Sequence, residues 1–410
     1  MSMKVLISGA GIGGLALAQS LSRSGIAFEI FERDAAIDSR AQGYRIRMDA
    51  DGDSALRTCL PPHLYALYQA TSSIPAPPPT GAFNFQMEMV FQFPAAPAAA
   101  TAAHQQLGMK PSPLGFSSHV TVNRHTLRQI LSANLQNSIR FGHAAVRATQ
   151  TADRATLHFA NGATADGDLI VSAEGINSPL RAQHFPDAQI LDLDMTCLYG
   201  RIPLTPELYE SLPDALHAGF TPILGPHRRT MGIGPFRKRR PFTEAAAEIA
   251  PRIALDPIAD YLMWILVVPR EEVSASANAV ALHQLALTLT EDWHPTLRAL
   301  LAQADPTATF AIPIRSSQRI APWPASRITF LGDAIHAMTP AGGIGANTAL
   351  RDAALLSYLL AHVETGTVTL TQAVDAYEAE MRDYAFAAVE RSLANAKGLY
   401  QLAAPPEPHA

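Results

Sequence analysis

Lys4-Val5-Leu6-Ile7-Ser8-Gly9-Ala10-Gly11-Ile12-Gly13-Gly14, followed by Phe28-Glu29-Ile30-Phe31-Glu32, decides how the rest of the chain is read. Residues 4–8 are an apolar run of buried-strand length. Leu15, Leu17, Ala18 and Leu21 lie at the spacing of one packed helix side, and Gly25 closes that helix. Residues 28–31 are a second strand. A strand–helix–strand unit of this length implies parallel strands joined by a right-handed crossover. Gly9, Gly11 and Gly14 occupy the first, third and sixth positions of the turn, with Ile12 and Gly13 opening the helix. The first glycine permits the tight turn, the second lets a pyrophosphate approach the backbone, and the third lets helix and strand pack closely. The helix N-terminus offers unpaired N–H groups to phosphate. Glu32 stands about 20 residues on, where a carboxylate accepts ribose hydroxyls and disfavours a 2′-phosphate. The motif by itself means a dinucleotide, FAD or NAD.

Composition narrows the class. The chain has 410 residues, a formal charge of −5, 48% hydrophobic and 16% charged residues. The charged fraction is below the usual figure of about 25%, which fits a compact globular enzyme of two or three domains and excludes a disordered chain. The negative balance argues against nucleic acid as a partner. Cys59 and Cys197 are too few for a disulfide framework or a zinc-finger set, so a reducing compartment, the cytoplasm, is expected. The 14 histidines form no His-Glu-x-x-His pattern, and no metal is expected. No run approaches the roughly 20 apolar residues of a membrane span. The longest, residues 261–269, suits a core strand. The N-terminal apolar run is glycine-rich and leads into a charged strand, so it reads as structure and not as a leader.

Further along, the Pro- and Ser-rich residues 71–80 read as a linker. Phe83, Phe85, Met87, Met89, Phe91 and Phe93 then recur at a spacing of two, the pattern of one half-buried strand. A core face is the preferred reading for them over a pocket lining. The Pro/Ala stretch 94–103 returns the chain. Residues 125–135 have helical spacing after Asn123. Residues 139–141, 155–159 and 168–173 read as strands, with Asn161-Gly162 as a tight hairpin turn. Between 185 and 324, β-like runs (197–202, 230–233, 262–268) alternate with turns. Residues 328–331 are a buried strand, 347–360 and 370–397 are helical, and the tail 403–410 is Pro-rich. The expected fold is α/β: a Rossmann-like nucleotide-binding domain made of 1–75, 105–184 and 325–402, interleaved with a sheet-rich domain of 76–104 and 185–324, and ending in C-terminal helices.

Four further segments separate FAD from NAD. They are Phe330-Leu331-Gly332-Asp333-Ala334-Ile335-His336, running on to Pro340-Ala341-Gly342-Gly343-Ile344-Gly345-Ala346-Asn347; Asp168-Leu169-Ile170-Val171-Ser172-Ala173-Glu174-Gly175-Ile176-Asn177-Ser178; Val122-Asn123-Arg124-His125-Thr126-Leu127; and Gly43-Tyr44-Arg45-Ile46-Arg47. In order and spacing the set resembles the flavoprotein aromatic hydroxylases of the para-hydroxybenzoate hydroxylase type, over most of the chain. The resemblance implies FAD held by Gly9, Gly11, Ile12, Gly13, Gly14, Glu32, Arg33, Arg45, Arg47, Arg124, Glu174, Asp333, Gly343, Gly345, Ala346 and Asn347. Asp333 is a carboxylate for ribityl hydroxyls, with a plain helix cap as its alternative. Gly343, Gly345 and Ala346 open a helix whose N–H groups suit the pyrimidine side of a reduced flavin. Arg124 matches the residue that reaches the pyrophosphate. One position departs: the family's Asp-Gly pair is Glu174-Gly175 here, one methylene longer, which puts the nicotinamide donor in question.

The activity implied is that of a single-component monooxygenase. NADPH or NADH reduces FAD, O2 is captured, and a flavin hydroperoxide delivers one oxygen atom to a hydrophobic aromatic or polycyclic small molecule. Asp49 beside the flavin and Arg201 on a strand of the second domain are the expected catalytic residues. Tyr199 faces the same side as Arg201. A cation there orients a phenolate or assists proton transfer, and a structural salt bridge is the even alternative. Arg237-Lys238-Arg239-Arg240 is expected as a solvated loop. Baeyer–Villiger oxygenation, epoxidation and a redox-silent flavin-binding role stay open, as do monomer and homodimer.

Overall fold

The computed structural model describes residues 3–37, 39, 44–93 and 120–402. Gly43, the stretch 94–103 and the tail 403–410 lie outside the described residues. Strand β1 (Lys4–Ser8), the helix Ile12–Arg23 and β2 (Ala27–Phe31) form the expected unit, with the strands parallel and Ile7 opposite Ile30. β3 (Arg45–Arg47) follows. The next two strands correct the sequence reading. Residues 83–93 are not one strand but a hairpin of β4 (Gly81–Asn84) and β5 (Met89–Gln92), turned where Met87 takes φ +63°. The alternating pattern runs through the turn and hides it. Phe83 enters the core, Phe85 and Met87 pack against it, and Met89, Val90 and Phe91 on the sheet edge are exposed.

β6 (Thr121–Asn123) pairs antiparallel with β3 and leads into the helix Arg124–Ser132, capped by Asn123, whose Oδ1 accepts from the Thr126 amide. β7 (Ile139–Arg140) extends the first sheet at β2. β8 (Ala145–Gln150), β9 (Ala155–Phe159) and β10 (Thr164–Gly167) form a small antiparallel sheet, with Asn161-Gly162 in the β9–β10 turn. β11 (Leu169–Ser172) returns beside β1. The second sheet is built from β12 (Ile190–Pro203), β13 (Thr221–Leu224), β14 (Thr230–Phe236), β15 (Tyr261–Pro269) and β16 (Phe310–Ser317). β17 (Ile328–Phe330) completes the first.

The first sheet, ordered β17-β11-β1-β2-β7, is wholly parallel. Its central residues Val5, Leu6, Ile7, Leu169, Ile170 and Val171 are fully buried, as a parallel sheet covered on both faces requires. The second sheet has the order β16-β12-β15-β14-β13-β4-β5, so the early hairpin supplies its far edge. Its two faces serve two cores. Cys197, Tyr199, Met263, Ile265 and Val267 join the core shared with the first sheet, while Leu198, Ile202, Leu262, Trp264 and Leu266 face the other way. Strand period two makes this division, and burial of both faces explains why β15 reads as one apolar run.

The outer face is closed by Leu282 and Ala286 of the helix Ala279–Leu289 and by Leu297 and Leu300 of the helix Pro295–Ala302. Reading 185–324 as strands and turns misses these helices and Phe242–Ile249. They are short, two or three turns each, so few repeats of the helical period are there to be read. The basic run 237–240 is likewise no free loop. Arg237 lies over the Tyr209 ring, Lys238 pairs with Asp260 at 3.0 Å and Arg240 pairs with Glu248. The helices Gly345–Glu364 and Leu370–Leu399 close the fold. Among the described residues no helix is long and apolar enough to cross a membrane.

Candidate active site

The glycine loop ends β1 against β11. Gly9 sits at φ +111°, and a Cβ there would collide with the Ala173 carbonyl oxygen. A Cβ at Gly14 would meet the Gly9 carbonyl, and one at Gly13 the Leu331 side chain. At Gly11 nothing lies within 4 Å. Fold packing thus demands the outer glycines, and an open space demands the middle one. Glu32, buried at the end of β2, accepts from the amides of Ala10 (2.8 Å) and Asp34 (3.0 Å). Arg33 is exposed. Arg128, not singled out in the sequence, braces the same loop by donating to the carbonyls of Ala10 (3.2 Å) and Ile37 (2.9 Å). Its helical spacing from Arg124 is the only trace it leaves in the sequence.

The second glycine-rich segment meets this loop. Asp333 is the first residue of the short helix Asp333–His336 and caps nothing. Its side chain is open to solvent although protein crowds round it, and that desolvation raises its pKa against the pull of His336 and Arg124. No hydrogen bond to the Asp333 carboxylate or from the Arg124 guanidinium is formed among the described residues. Arg124 lies 5.7 Å from the centre of the Tyr44 ring. An unpaired carboxylate and an unpaired guanidinium thus face one open cleft. With the space over Gly11, this donor and acceptor set fits the ribityl and pyrophosphate groups of FAD.

Gly345 and Ala346 start the long helix, whose N-terminal amides carry no side-chain cap. Asn347 stitches it to β3: its amide donates to the carbonyls of Arg47 (2.9 Å) and Gly343 (3.3 Å), and its Oδ1 accepts from the Asp49 amide (3.2 Å). Asp49 itself caps the helix Ala50–Cys59 through the Gly52 amide (2.9 Å), and burial raises its carboxyl pKa. Arg47 is exposed beside Gly343. Arg45 instead lies under the second sheet, against Gly234 and the Pro235 carbonyl, and burial draws its guanidinium down to about 10.

Beneath the cleft, Asp352 is fully buried and accepts from the Gly332 amide (2.8 Å), His336 Nε2 (2.6 Å) and Tyr384 Oη (2.6 Å). This carboxylate fixes Gly332 at φ +63° and so sets where Asp333 begins. His336 has its pKa raised: burial opposes the charged form, but Asp352 outweighs it. Sequence spacing alone does not connect these groups.

Glu174 turns inward. Its carboxylate accepts from Ser8 (2.6 Å), Ser172 (3.1 Å) and Ser178 (2.5 Å), and burial raises its pKa. The extra methylene lets the carboxyl reach Ser8 of β1 as well as the two serines of its own segment.

Arg201 and Tyr199 line one cavity of about 250 Å³ with Tyr44, Gly200, Asp305, Thr307, Thr309 and Phe310. Tyr199 stacks on Phe310 (5.2 Å, 10°) and on Tyr44 (5.0 Å, 22°). The cavity therefore joins Tyr44, whose ring lies beside Arg124, to the second sheet. The Arg201 guanidinium makes no hydrogen bond or ion pair among the described residues, so the salt-bridge alternative finds no partner here.

Residues 114–392 match the FAD binding domain family. The chain is 34% identical over 427 residues to a dual O-methyltransferase/FAD-dependent monooxygenase of Cercospora beticola, covering 97% of this chain and 46% of that protein. The chain thus spans about half the length of the dual-function relatives it matches. It is 30% identical over 363 residues to a 2-heptyl-3-hydroxy-4(1H)-quinolone synthase of Pseudomonas aeruginosa, covering 87% of this chain and 80% of that one. A solved structure from Photorhabdus luminescens, assigned as an FAD containing monooxygenase, superposes with a TM-score of 0.79 at 30% identity over 98% of both chains. With the glycine loop, the Asp333 and Arg124 side chains and these relatives in agreement, the chain belongs to the FAD binding domain family of FAD-dependent monooxygenases.

Proposed function

We propose that this chain hydroxylates a hydrophobic aromatic or polycyclic small molecule with FAD, O2 and NADPH or NADH. The observation that carries the reading is the unpaired Arg201 in an aromatic-walled cavity that begins at the flavin-side residue Tyr44. Bound FAD supplies oxygen activation and accepts electrons from the nicotinamide donor. Glu32, Gly11, Arg124 and Asp333 hold the cofactor, and the Gly345–Asn347 helix start faces its ring with N–H groups. Tyr44, Tyr199 and Phe310 position the flat substrate and keep water out. Arg201 holds the substrate as its phenolate, the electron-rich form that accepts oxygen. Asp49 is a positioning residue, because its carboxylate caps the helix that Asn347 ties to the site.

For the donor, Arg181 and Arg315 border the Glu174–Ser178 loop. Arg315 donates to Asn177 Oδ1 of that loop (3.0 Å), and its guanidinium is the group offered to a phosphate of the donor. The buried free thiols Cys59 and Cys197 fit a reducing, cytoplasmic setting. The test is the absorbance spectrum of purified, FAD-supplemented protein, followed anaerobically by NADPH and then NADH. Flavin bands that bleach, and bleach faster with aromatic substrate present, support the reading. Failure to take up FAD refutes it. Flavin that no donor reduces, with or without substrate, makes the chain a redox-silent flavin binder instead.

A further inference from the structure

The cavity beside Arg201 carries a second charge whose placement narrows the ligand. Asp305 lies on its rim, and its amide donates to the Arg201 carbonyl (3.0 Å), which fixes the rim to the end of β12. Asp305 Oδ1 accepts from the Thr307 amide (2.9 Å) and from Thr307 Oγ1 (2.6 Å). The Ala308 amide lies near enough to add to the pull on the carboxylate, and Oδ2 takes neither of the Thr307 bonds. The two Thr307 bonds, with Arg201 in support, hold the carboxyl below its ordinary range, so it is ionised at neutral pH. The Asp305 carboxylate and the Arg201 guanidinium are too far apart to pair with each other. One wall of the cavity therefore presents a cation and its rim an anion, which feel each other's charge without forming an ion pair, and stacked aromatic faces lie alongside. A cavity of roughly 150 Å³ holds benzene, so about 250 Å³ takes two fused rings.

We propose that Asp305 is a specificity-determining residue that restricts this cavity to fused-ring aromatics with a single ionised oxygen at Arg201, and favours those that offer a hydrogen-bond donor to Oδ2. The proposal rests on the reading of the Arg201 cavity as the substrate site. A second negative charge on the far ring meets the largely solvated Asp305 carboxylate, which weakens binding about fivefold. A hydroxyl in the same position gains a charge-assisted hydrogen bond.

Three probes that differ only at the far ring test this on the FAD-loaded protein by calorimetric titration: naphthoate, a hydroxynaphthoate and a naphthalene dicarboxylate. The expected order of affinity is hydroxynaphthoate, naphthoate, dicarboxylate, with about tenfold or more between first and last. Asp305→Asn keeps an Oδ1 acceptor for Thr307 and is expected to shrink that ratio to about twofold. In the unaltered protein, added salt is expected to shrink it as well, a readout that needs no variant. A ratio that neither Asp305→Asn nor salt changes overturns the role of Asp305. Arg201→Gln is expected to weaken all three probes. If it weakens none, or if no probe binds the unaltered protein, the reading of the cavity itself falls.

Discussion

Replacing Asp352 with asparagine removes one charge from the interior and almost no volume. In the native protein that carboxylate receives three hydrogen bonds, from the Gly332 amide, His336 and Tyr384, and no part of it reaches solvent. A bond to an ionised acceptor contributes about 1 kcal/mol more than a bond to a neutral one. Three such bonds give a loss of about 3 kcal/mol, the low end of the roughly 3–5 kcal/mol seen when one partner of a buried pair is removed. His336 supplies an independent check. Its folded pKa lies above its unfolded value, so the stabilisation from this pair is fully present below about pH 6.5 and is lost as pH rises through the folded pKa. Thermal melting of the FAD-loaded protein at several pH values, with flavin-fluorescence titration for cofactor affinity, reads both effects. Asp352→Asn is expected to lower the melting temperature most at acidic pH and least at alkaline pH. FAD binding weakens with it, because Gly332 and Asp333 lose their anchor. A variant within about 0.5 kcal/mol of the native protein, with the same pH profile, refutes the reasoning.

Gly11→Val is expected to fold normally and lose FAD, since its side chain enters open space where the pyrophosphate belongs. Gly9→Ala is expected to lose both FAD and stability, because the new methyl meets the Ala173 carbonyl at a positive φ; melting curves and flavin content separate the two. Asp333→Ala is expected to purify colourless, and a fully flavinated variant counts against the cleft. Gly200→Ala drives a methyl into the Trp264 ring and is expected to cost about 1–3 kcal/mol in unfolding experiments, with the cofactor retained. Arg201→Ala is expected to keep FAD and uncouple donor oxidation from product formation; an unchanged product yield removes Arg201 from the chemistry.

The part of the fold made by neighbours in sequence was legible. The β1 turn and helix follow from glycine spacing and a one-sided apolar pattern, and Asn123 announces its helix as a cap. Legibility fails where structure depends on distant partners or on a repeat that does not break. The 83–93 pattern stays in phase through a turn, so nothing in its period marks the bend at Met87. Asp352 and Tyr384 look like ordinary helical polar residues until their helices bring them under Gly332. Arg201 was visible as a cation on a strand, yet Phe310 reaches its cavity only through the β12–β16 pairing and Asp305 only through its amide bond to the Arg201 carbonyl. Glu174 was noticed as a departure, and Ser172 and Ser178 stand beside it in the sequence, but Ser8 reaches it only through the β1–β11 pairing. Arg45 and Arg47 share a strand yet meet different surroundings, because the second sheet covers only the first.

The two-faced strand β12 has an implication for how such a protein changes over time. Positions 198 and 202 anchor the outer core, while 197, 199 and 201 look toward the shared interior and the cavity. Change toward new ligands on β12 therefore falls on Tyr199 and Arg201, while Cys197 and the even positions keep the scaffold folded, and on β15 both rows, 263, 265 and 267 as well as 262, 264 and 266, are core. Of these three odd residues of β12, Arg201 alone lies outside the buried core, so substitution there samples recognition with the least loss of folded variants. Inserting a single residue into β12 would exchange the rows and abolish both properties together.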